Sequence, residues 1–151
     1  MVMITEIVPG LYMSDLYAAE SASTHSAYGI THVVSVMPGA VQIPKSTSPR
    51  MLQIPIRDNP FEELAGHLGI TTSFIADALT HRGSVLVHCV QGMSRSASVV
   101  SAYLMAAYGW SVQQSVDFVR SKYDKAQPNT GFVGQLQEYY DSLRRANPSR
   151  R

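Results

Sequence analysis

Residues 84–108 read SVLVHCVQGMSRSASVVSAYLMAAY. The stretch Val85–Cys89 is short and almost continuously apolar, as in strands that are covered on both faces in α/β proteins. Ser96–Tyr108 contains mainly small and apolar side chains, which predicts a well-buried helix. The stretch therefore predicts a central strand, a short loop and a buried helix, with a cysteine at the start of the loop.

The loop between this strand and helix has the residues of an anion receptor. Backbone N–H groups at a helix start lack intrahelical acceptors, and the helix dipole places about half a positive charge there. Gly92 allows a backbone conformation that other residues resist, and Arg95 offers a planar fork of donors that fits two phosphate oxygens. Such a field also favours the thiolate form of Cys89. We expect a phosphate-binding loop formed by Val90, Gln91, Gly92, Met93, Ser94 and Arg95, with a nucleophile at its floor.

Each of these residues has an ordinary explanation when it is considered alone. A lone cysteine is usually a small buried hydrophobic residue, and a glycine after a strand is usually part of a turn. Their joint spacing between a buried strand and a buried helix favours the functional interpretation. Ser96 then places a hydroxyl near the helix start, where it can donate to the Cys89 sulfur.

Residues 88–96, HCVQGMSRS, resemble the signature of the cysteine-dependent protein phosphatases. Within it, residues 93–96 are most similar to the dual-specificity branch, and the chain resembles its small atypical members. The resemblance implies catalytic roles for Cys89, Arg95 and Ser96. It also implies hydrolysis of phosphotyrosine and of phosphoserine or phosphothreonine through a phosphocysteine, without a cofactor. Further matching segments are Ile4-Thr5-Glu6-Ile7, Gly10-Leu11-Tyr12, Pro128-Asn129 and Gly131-Phe132.

This chemistry requires an acid, because a serine or threonine alkoxide leaves poorly unless it is protonated, and general acid catalysis typically contributes ~10²–10⁴-fold. Asp58 follows a predicted strand and opens a turn, and the resemblance implies an acid on a loop of this kind. We therefore predict that Asp58 is the catalytic acid and later the base. Formation of a turn by Asp-Asn-Pro is the alternative role, and Glu62 and Glu63 are reserve candidates for the acid.

Two further residues are predicted to support the site. His88 precedes the nucleophile on a strand, so its side chain should point to the opposite face, and the resemblance implies that it hydrogen-bonds behind the loop and helps hold the thiolate. Asn129 either caps the last helix or, as the resemblance implies, supports the phosphate loop. The remaining histidines show no ligand spacing, so no metal is expected.

Strands that alternate with helices predict an α/β fold with a central, mostly parallel sheet flanked by helices. The phosphate loop then lies at the carboxyl end of a strand, where such sheets bind ligands. Pro55 removes a ladder donor and predicts a sheet edge or a strand end. The expected strands are Ile4–Val8, Leu11–Ser14, Thr31–Met37, Met51–Ile56 and Val85–Cys89. The expected helices are Asp15–Tyr28, Leu68–Thr80, Ser96–Tyr108, one that follows a capping box at Ser111, and Asn129–Leu143.

The whole chain has 151 residues and a formal net charge of +1. This length favours one domain, which we expect over residues 1–147 with a short basic tail at 148–151. The single cysteine excludes an intramolecular disulfide and favours a reducing compartment, cytoplasmic or nuclear. The expected partners are phosphorylated proteins, with neither nucleic acid nor membrane, and the oligomeric state stays open.

Other functions are weighed on the same residues. A catalytically silent phospho-recognition module is one alternative, and a phosphatase for a non-protein phosphate ester is another. The loop side chains of Val90, Gln91, Met93 and Ser94 carry no charge. The resemblance implies a basic residue or an asparagine there in relatives that act on phosphoinositides or RNA 5′ ends, so lipid and RNA substrates are disfavoured. Arsenate reduction is disfavoured because it commonly needs further cysteines, and a sulfur-transfer enzyme with a related anion loop is a third alternative.

Overall fold

A five-stranded sheet forms the centre of the computed structural model, which describes residues 3–147. The strands lie in the order β1-β2-β5-β3-β4, with β1 and β2 antiparallel and the other neighbours parallel. The predicted α/β fold with a mostly parallel sheet is therefore confirmed, and β5 is the middle strand. The strands are β1 (Ile4–Val8), β2 (Leu11–Ser14), β3 (His32–Val36), β4 (Arg50–Ile54) and β5 (Val85–His88).

Helices cover both faces of the sheet. On one face, Val85 and Val87 of β5 belong to a large core shared with the last four helices, and on the other face Leu86 belongs to a smaller cluster with Ala19 and Ile30. This division follows from the alternation of side chains along a strand. The helices are α1 (Leu16–Ala19), α2 (Ala22–Tyr28), α3 (Leu68–Thr80), α4 (Arg95–Tyr108), α5 (Val112–Lys122) and α6 (Thr130–Ala146).

Helix α4 is the central helix of the large core. Every residue from Ser96 to Met105 is buried, as the small and apolar sequence predicts. The helix ends at Gly109, whose N–H donates to the Met105 carbonyl. This arrangement fixes the phosphate loop between a buried strand and a buried helix.

The predicted single helix over Asp15–Tyr28 is wrong, because the chain forms two short helices there. Ser21 has an extended backbone, and its hydroxyl accepts from the Thr24 N–H at 3.4 Å, which starts a second helix. Serine side chains compete in this way with backbone bonds of a continuous helix. The other predicted elements differ from the observed ones only at their ends, and a one-turn 3₁₀ helix, Ala65–His67, was not predicted.

Strand β4 lies at the sheet edge and ends at Ile54, directly before Pro55. Pro55 therefore lies both at a sheet edge and at a strand end, which are the two positions predicted for it. The strand is shorter than predicted. The predicted capping box is also confirmed, because Ser111 and Gln114 each accept from the other's backbone N–H. The predicted basic tail at 148–151 lies outside the described residues.

Candidate active site

Cys89 lies at the junction between β5 and the loop that leads into α4, and its side chain is buried. The Gly92 N–H donates to Cys89 Sγ at 3.2 Å, and Ser96 Oγ lies 3.3 Å from the same sulfur. Ser96 is fully buried in the first turn of α4. The loop and the helix start therefore each place a polar group within hydrogen-bond distance of the sulfur.

Gly92 is required by the shape of the loop. Its φ of +75° lies in the left-handed region, and a Cβ there would come within 2.9 Å of the Ser14 carbonyl oxygen. The neighbouring Val90 carbonyl accepts from the Leu16 N–H at 3.0 Å. The end of β2 and the start of α1 therefore support the outer side of the loop, and only glycine fits against them.

Seven of the eleven predicted site residues line one open pocket of about 270 Å³. This pocket unites the phosphate loop with the predicted acid from a different part of the chain. Gly92 and Ser96 contact the sulfur but do not line the pocket. The lining residues are Asp58, Cys89, Val90, Gln91, Met93, Ser94 and Arg95.

Arg95 links the pocket to the loop that carries Asp58. Its Nη1 donates to the Ile56 carbonyl at 3.1 Å. Its Nε is buried and has no acceptor within residues 3–147. A buried donor without an acceptor is costly, and an oxyanion bound in the pocket that Arg95 lines would satisfy it.

Asp58 accepts a hydrogen bond from Asn129 Nδ2 at 3.0 Å. The turn that was its alternative role is closed by the next residue, because Asn59 Oδ1 accepts from the Phe61 N–H at 2.9 Å. The two reserve candidates for the acid have local partners. Glu62 accepts from the Arg57 N–H and Glu63 from the Gly66 N–H, and neither lines the pocket.

Asn129 makes the contacts of both of its predicted roles. Its Oδ1 caps α6 by accepting from the Phe132 N–H at 2.8 Å, so the predicted cap is confirmed. Its backbone N–H donates to the Ser94 hydroxyl at 3.0 Å, which ties the start of α6 to the phosphate loop. The Ser94 hydroxyl is therefore engaged by the start of α6.

His88 lies behind the loop and is fully buried. Its Nδ1 lies 3.2 Å from the Cys89 carbonyl, and its Nε2 lies 2.7 Å from the Ser35 hydroxyl. Burial lowers the pKa of His88 to about 4, so the ring is neutral at neutral pH. Because a carbonyl can only accept, we assign the proton to Nδ1, and Nε2 then accepts from Ser35. The predicted orientation away from the pocket is observed.

Two supporting residues, Ser35 and Gln135, were missed from the sequence. Ser35 is paired with His88 across neighbouring strands β3 and β5. A buried serine in the apolar run around it was an available signal. Gln135 contacts the backbone of residues 62–65 through both ends of its amide, and its place beside the buried Leu136 on α6 was a weaker signal.

Within residues 3–147, none of the helices has the length and apolar composition that a bilayer span requires. That part of the chain also contains no group of three or more His, Cys, Asp or Glu residues arranged to hold a metal ion.

Comparison with known proteins identifies the family. Residues 11–142 match the family described as dual specificity phosphatase, catalytic domain. The chain belongs to this family. Its members are cysteine-dependent protein phosphatases, and the chain is therefore a phosphatase of that class. This result confirms the resemblance drawn from residues 88–96.

Relatives of this phosphatase cover almost its whole length. Mouse dual specificity protein phosphatase 13B is 38% identical over 149 residues, which is 94% of this chain and 75% of the relative. A crystal structure of human DUSP28 has a TM-score of 0.86 and 33% identity, covering 93% of this chain and 95% of that one. A crystal structure of a mouse protein of the dual specificity phosphatase type, complexed with zinc tungstate, has a TM-score of 0.89 and 34% identity. It covers 95% of this chain and 89% of that one.

Proposed function

We propose that this phosphatase hydrolyses phosphotyrosine, phosphoserine and phosphothreonine esters in proteins by way of a phosphocysteine. Cys89 Sγ attacks phosphorus, the P–O bond of the ester breaks, and Asp58 gives its proton to the departing oxygen. The same carboxylate then takes a proton from water, which attacks phosphorus and releases Cys89 as a thiolate and phosphate as product. The observation that carries this proposal is the lining of one pocket by Cys89, Asp58 and Arg95.

The surroundings of the pocket support binding of a phosphate dianion. The helix start after Ser94 presents backbone donors and the positive end of a dipole. Arg95 adds a buried Nε that has no acceptor in the part of the chain that the structure describes. The relative that is complexed with tungstate is consistent with this assignment, because tungstate is a tetrahedral oxyanion like phosphate.

The donors around the sulfur support its two roles. Hydrogen bonds from the Gly92 N–H and the Ser96 hydroxyl stabilise a thiolate before the attack. The same bonds stabilise the sulfur again when the phosphocysteine breaks down. Interactions that favour an anionic leaving group lower the barrier to its departure.

The test compares wild type with Cys89→Ser, Asp58→Ala and a control, Asp77→Ala, on p-nitrophenyl phosphate and on phosphotyrosine, phosphoserine and phosphothreonine peptides. Asp77 is an exposed carboxylate paired with His81. We expect no turnover by Cys89→Ser and a loss of at least ~10²-fold on phosphoserine for Asp58→Ala. Asp77→Ala should be unchanged, and mass spectrometry of quenched reactions should find phosphate on Cys89.

Three results would contradict the proposal. Full activity of Cys89→Ser would exclude Cys89 as the nucleophile. Loss of activity in EDTA would exclude a metal-independent reaction. Binding of phosphopeptides by wild type without any turnover would favour the phospho-recognition module instead.

A further inference from the structure

We infer that Gln135 of α6 is a positioning residue for Asp58. This inference rests on the proposed acid role of Asp58 and extends it to a residue far from the pocket. Gln135 Oε1 accepts from the Leu64 N–H at 2.6 Å and from the Ala65 N–H at 2.8 Å. Its Nε2 donates to the Glu62 carbonyl at 2.8 Å. One half-buried amide thus holds three backbone groups, those of Glu62, Leu64 and Ala65, in the segment that follows the acid.

A second contact lies between Asp58 and the residues that Gln135 holds. The backbone of Pro60 packs so closely on Gly131 that a Cβ at position 131 would lie 2.6 Å from Pro60 C and Cα. Gly131 and Gln135 are four residues apart and lie on the same face of α6. That face of α6 therefore directly contacts the backbone of the acid loop, the segment from Asp58 to Ala65.

The third contact is at the acid itself. Asn129, the cap of α6, donates to Asp58 Oδ1, and its backbone N–H donates to the Ser94 hydroxyl of the phosphate loop. Helix α6 thus serves as a common frame for the acid loop and the phosphate loop. The position of the Asp58 carboxyl relative to the Cys89 sulfur depends on how firmly the loop is held to this frame, and misplacement by 1 Å can cost about 10²-fold in rate.

The test variant is Gln135→Ala, and the matched control is Gln137→Ala. Gln137 lies on the same helix, is exposed, and donates to Asp141 one turn away. Rates are measured on a series of aryl phosphates whose leaving groups range from good to poor. A displaced acid should lower kcat/KM, which reports only the steps through formation of the phosphocysteine, by about tenfold or more on poor leaving groups, with little change on good ones. The control should match wild type throughout.

Two more measurements separate positioning from stability. In an Asp58→Ala background, Gln135→Ala should add little further loss, because there is then no acid to position. Gln135→Glu retains an acceptor for the Leu64 and Ala65 N–H groups but loses the donor to Glu62, so its rates should fall between those of wild type and Gln135→Ala. This variant carries the same test if the alanine variant does not fold.

An equal fall in kcat/KM on all leaving groups, full additivity with Asp58→Ala, or unchanged rates would each overturn the inference. Failure of the acid assignment is recognised separately. In that case Asp58→Ala alone would leave the leaving-group dependence as in wild type, and the positioning role would fall with it. If Asp58→Ala behaves as expected and Gln135→Ala does not, only the positioning role is wrong.

Discussion

Asn129 Nδ2 donates to Asp58 Oδ1 at 3.0 Å, across 71 positions of sequence. The same side chain caps α6 through its Oδ1, so one residue connects helix stability with the placement of the proposed acid. The two functions use different atoms of the amide. They can therefore be separated by substitution.

Asn129→Ser retains an oxygen that can cap the helix but loses the donor to Asp58. Because serine and asparagine are similarly good caps, we expect the free energy of unfolding to change little. We expect turnover of phosphoserine peptides to fall, since the carboxyl is no longer held. Asn129→Ala loses both contacts and should also lose about 1 kcal/mol of stability. Urea denaturation and steady-state rates measure the two effects, and equal stabilities of the two variants would contradict this division.

Gly92→Ala should damage both folding and catalysis. The alanine would occupy a left-handed conformation and meet the Ser14 backbone, at a cost of about 1–3 kcal/mol. Since the loop must shift to relieve this contact, we expect a loss of about 10²-fold or more in kcat/KM. The control is Gly134→Ala on α6, where a Cβ meets nothing within 4 Å. It should gain up to about 1 kcal/mol from helix propensity. Normal activity of Gly92→Ala would refute the tight fit.

Ser96→Ala removes the hydroxyl that lies 3.3 Å from the Cys89 sulfur. A hydrogen bond to a charged group contributes about 1.5–3 kcal/mol, which corresponds to a loss of about 10–100-fold in kcat. If breakdown of the phosphocysteine becomes the slow step, stopped-flow traces should show a burst of product. Ser101→Ala is the control, because Ser101 is a buried serine on the same helix whose hydroxyl has no partner within residues 3–147. Equal rates for the two variants would exclude a role of Ser96 at the sulfur.

The central strand, loop and helix could be predicted from the sequence because their signals are local. Burial from Ser96 to Met105 follows from a run of small and apolar residues. The placement of Cys89 and Arg95 follows from their position between strand and helix. The break at Ser21 was missed, although serine is a common cap, because an apolar pattern alone does not distinguish one helix from two short ones.

Contacts between distant segments could not be predicted in the same way. The partners of Gln135 lie about 70 positions earlier in the chain, and Ser35 meets His88 across 53 positions. Such pairs depend on strand register and on the packing of α6 against a loop, which a single sequence does not specify. They surround the proposed catalytic residues, so the support of the site was less predictable than its chemistry.

The burial of His88 determines how this residue changes the stability of the protein in acid. Burial lowers the pKa of His88 to about 4 in the folded protein, against about 6.5 in an unfolded chain. Below pH 6.5 the unfolded chain therefore binds a proton that the folded protein does not, and stability falls until about pH 4. This single group accounts for a loss of about 3 kcal/mol across that window, because each unit of pKa difference corresponds to ~1.4 kcal/mol.

The His88→Gln variant has no imidazole at this position to protonate in the unfolded chain. It should therefore not show the loss of stability that His88 causes in acid. At pH 7 the variant should be less stable than wild type, because it loses imidazole packing and the contact with Ser35. The difference in the free energy of unfolding between wild type and the variant should then narrow by about 3 kcal/mol as the pH falls from 6.5 to 4. Urea denaturation at several pH values measures this difference in the free energy of unfolding. The carboxyl groups are the same in both proteins, so their contributions cancel in the difference. The control His81→Gln removes an exposed imidazole. A difference that stays constant with pH would mean that His88 is not buried as a neutral ring behind Cys89.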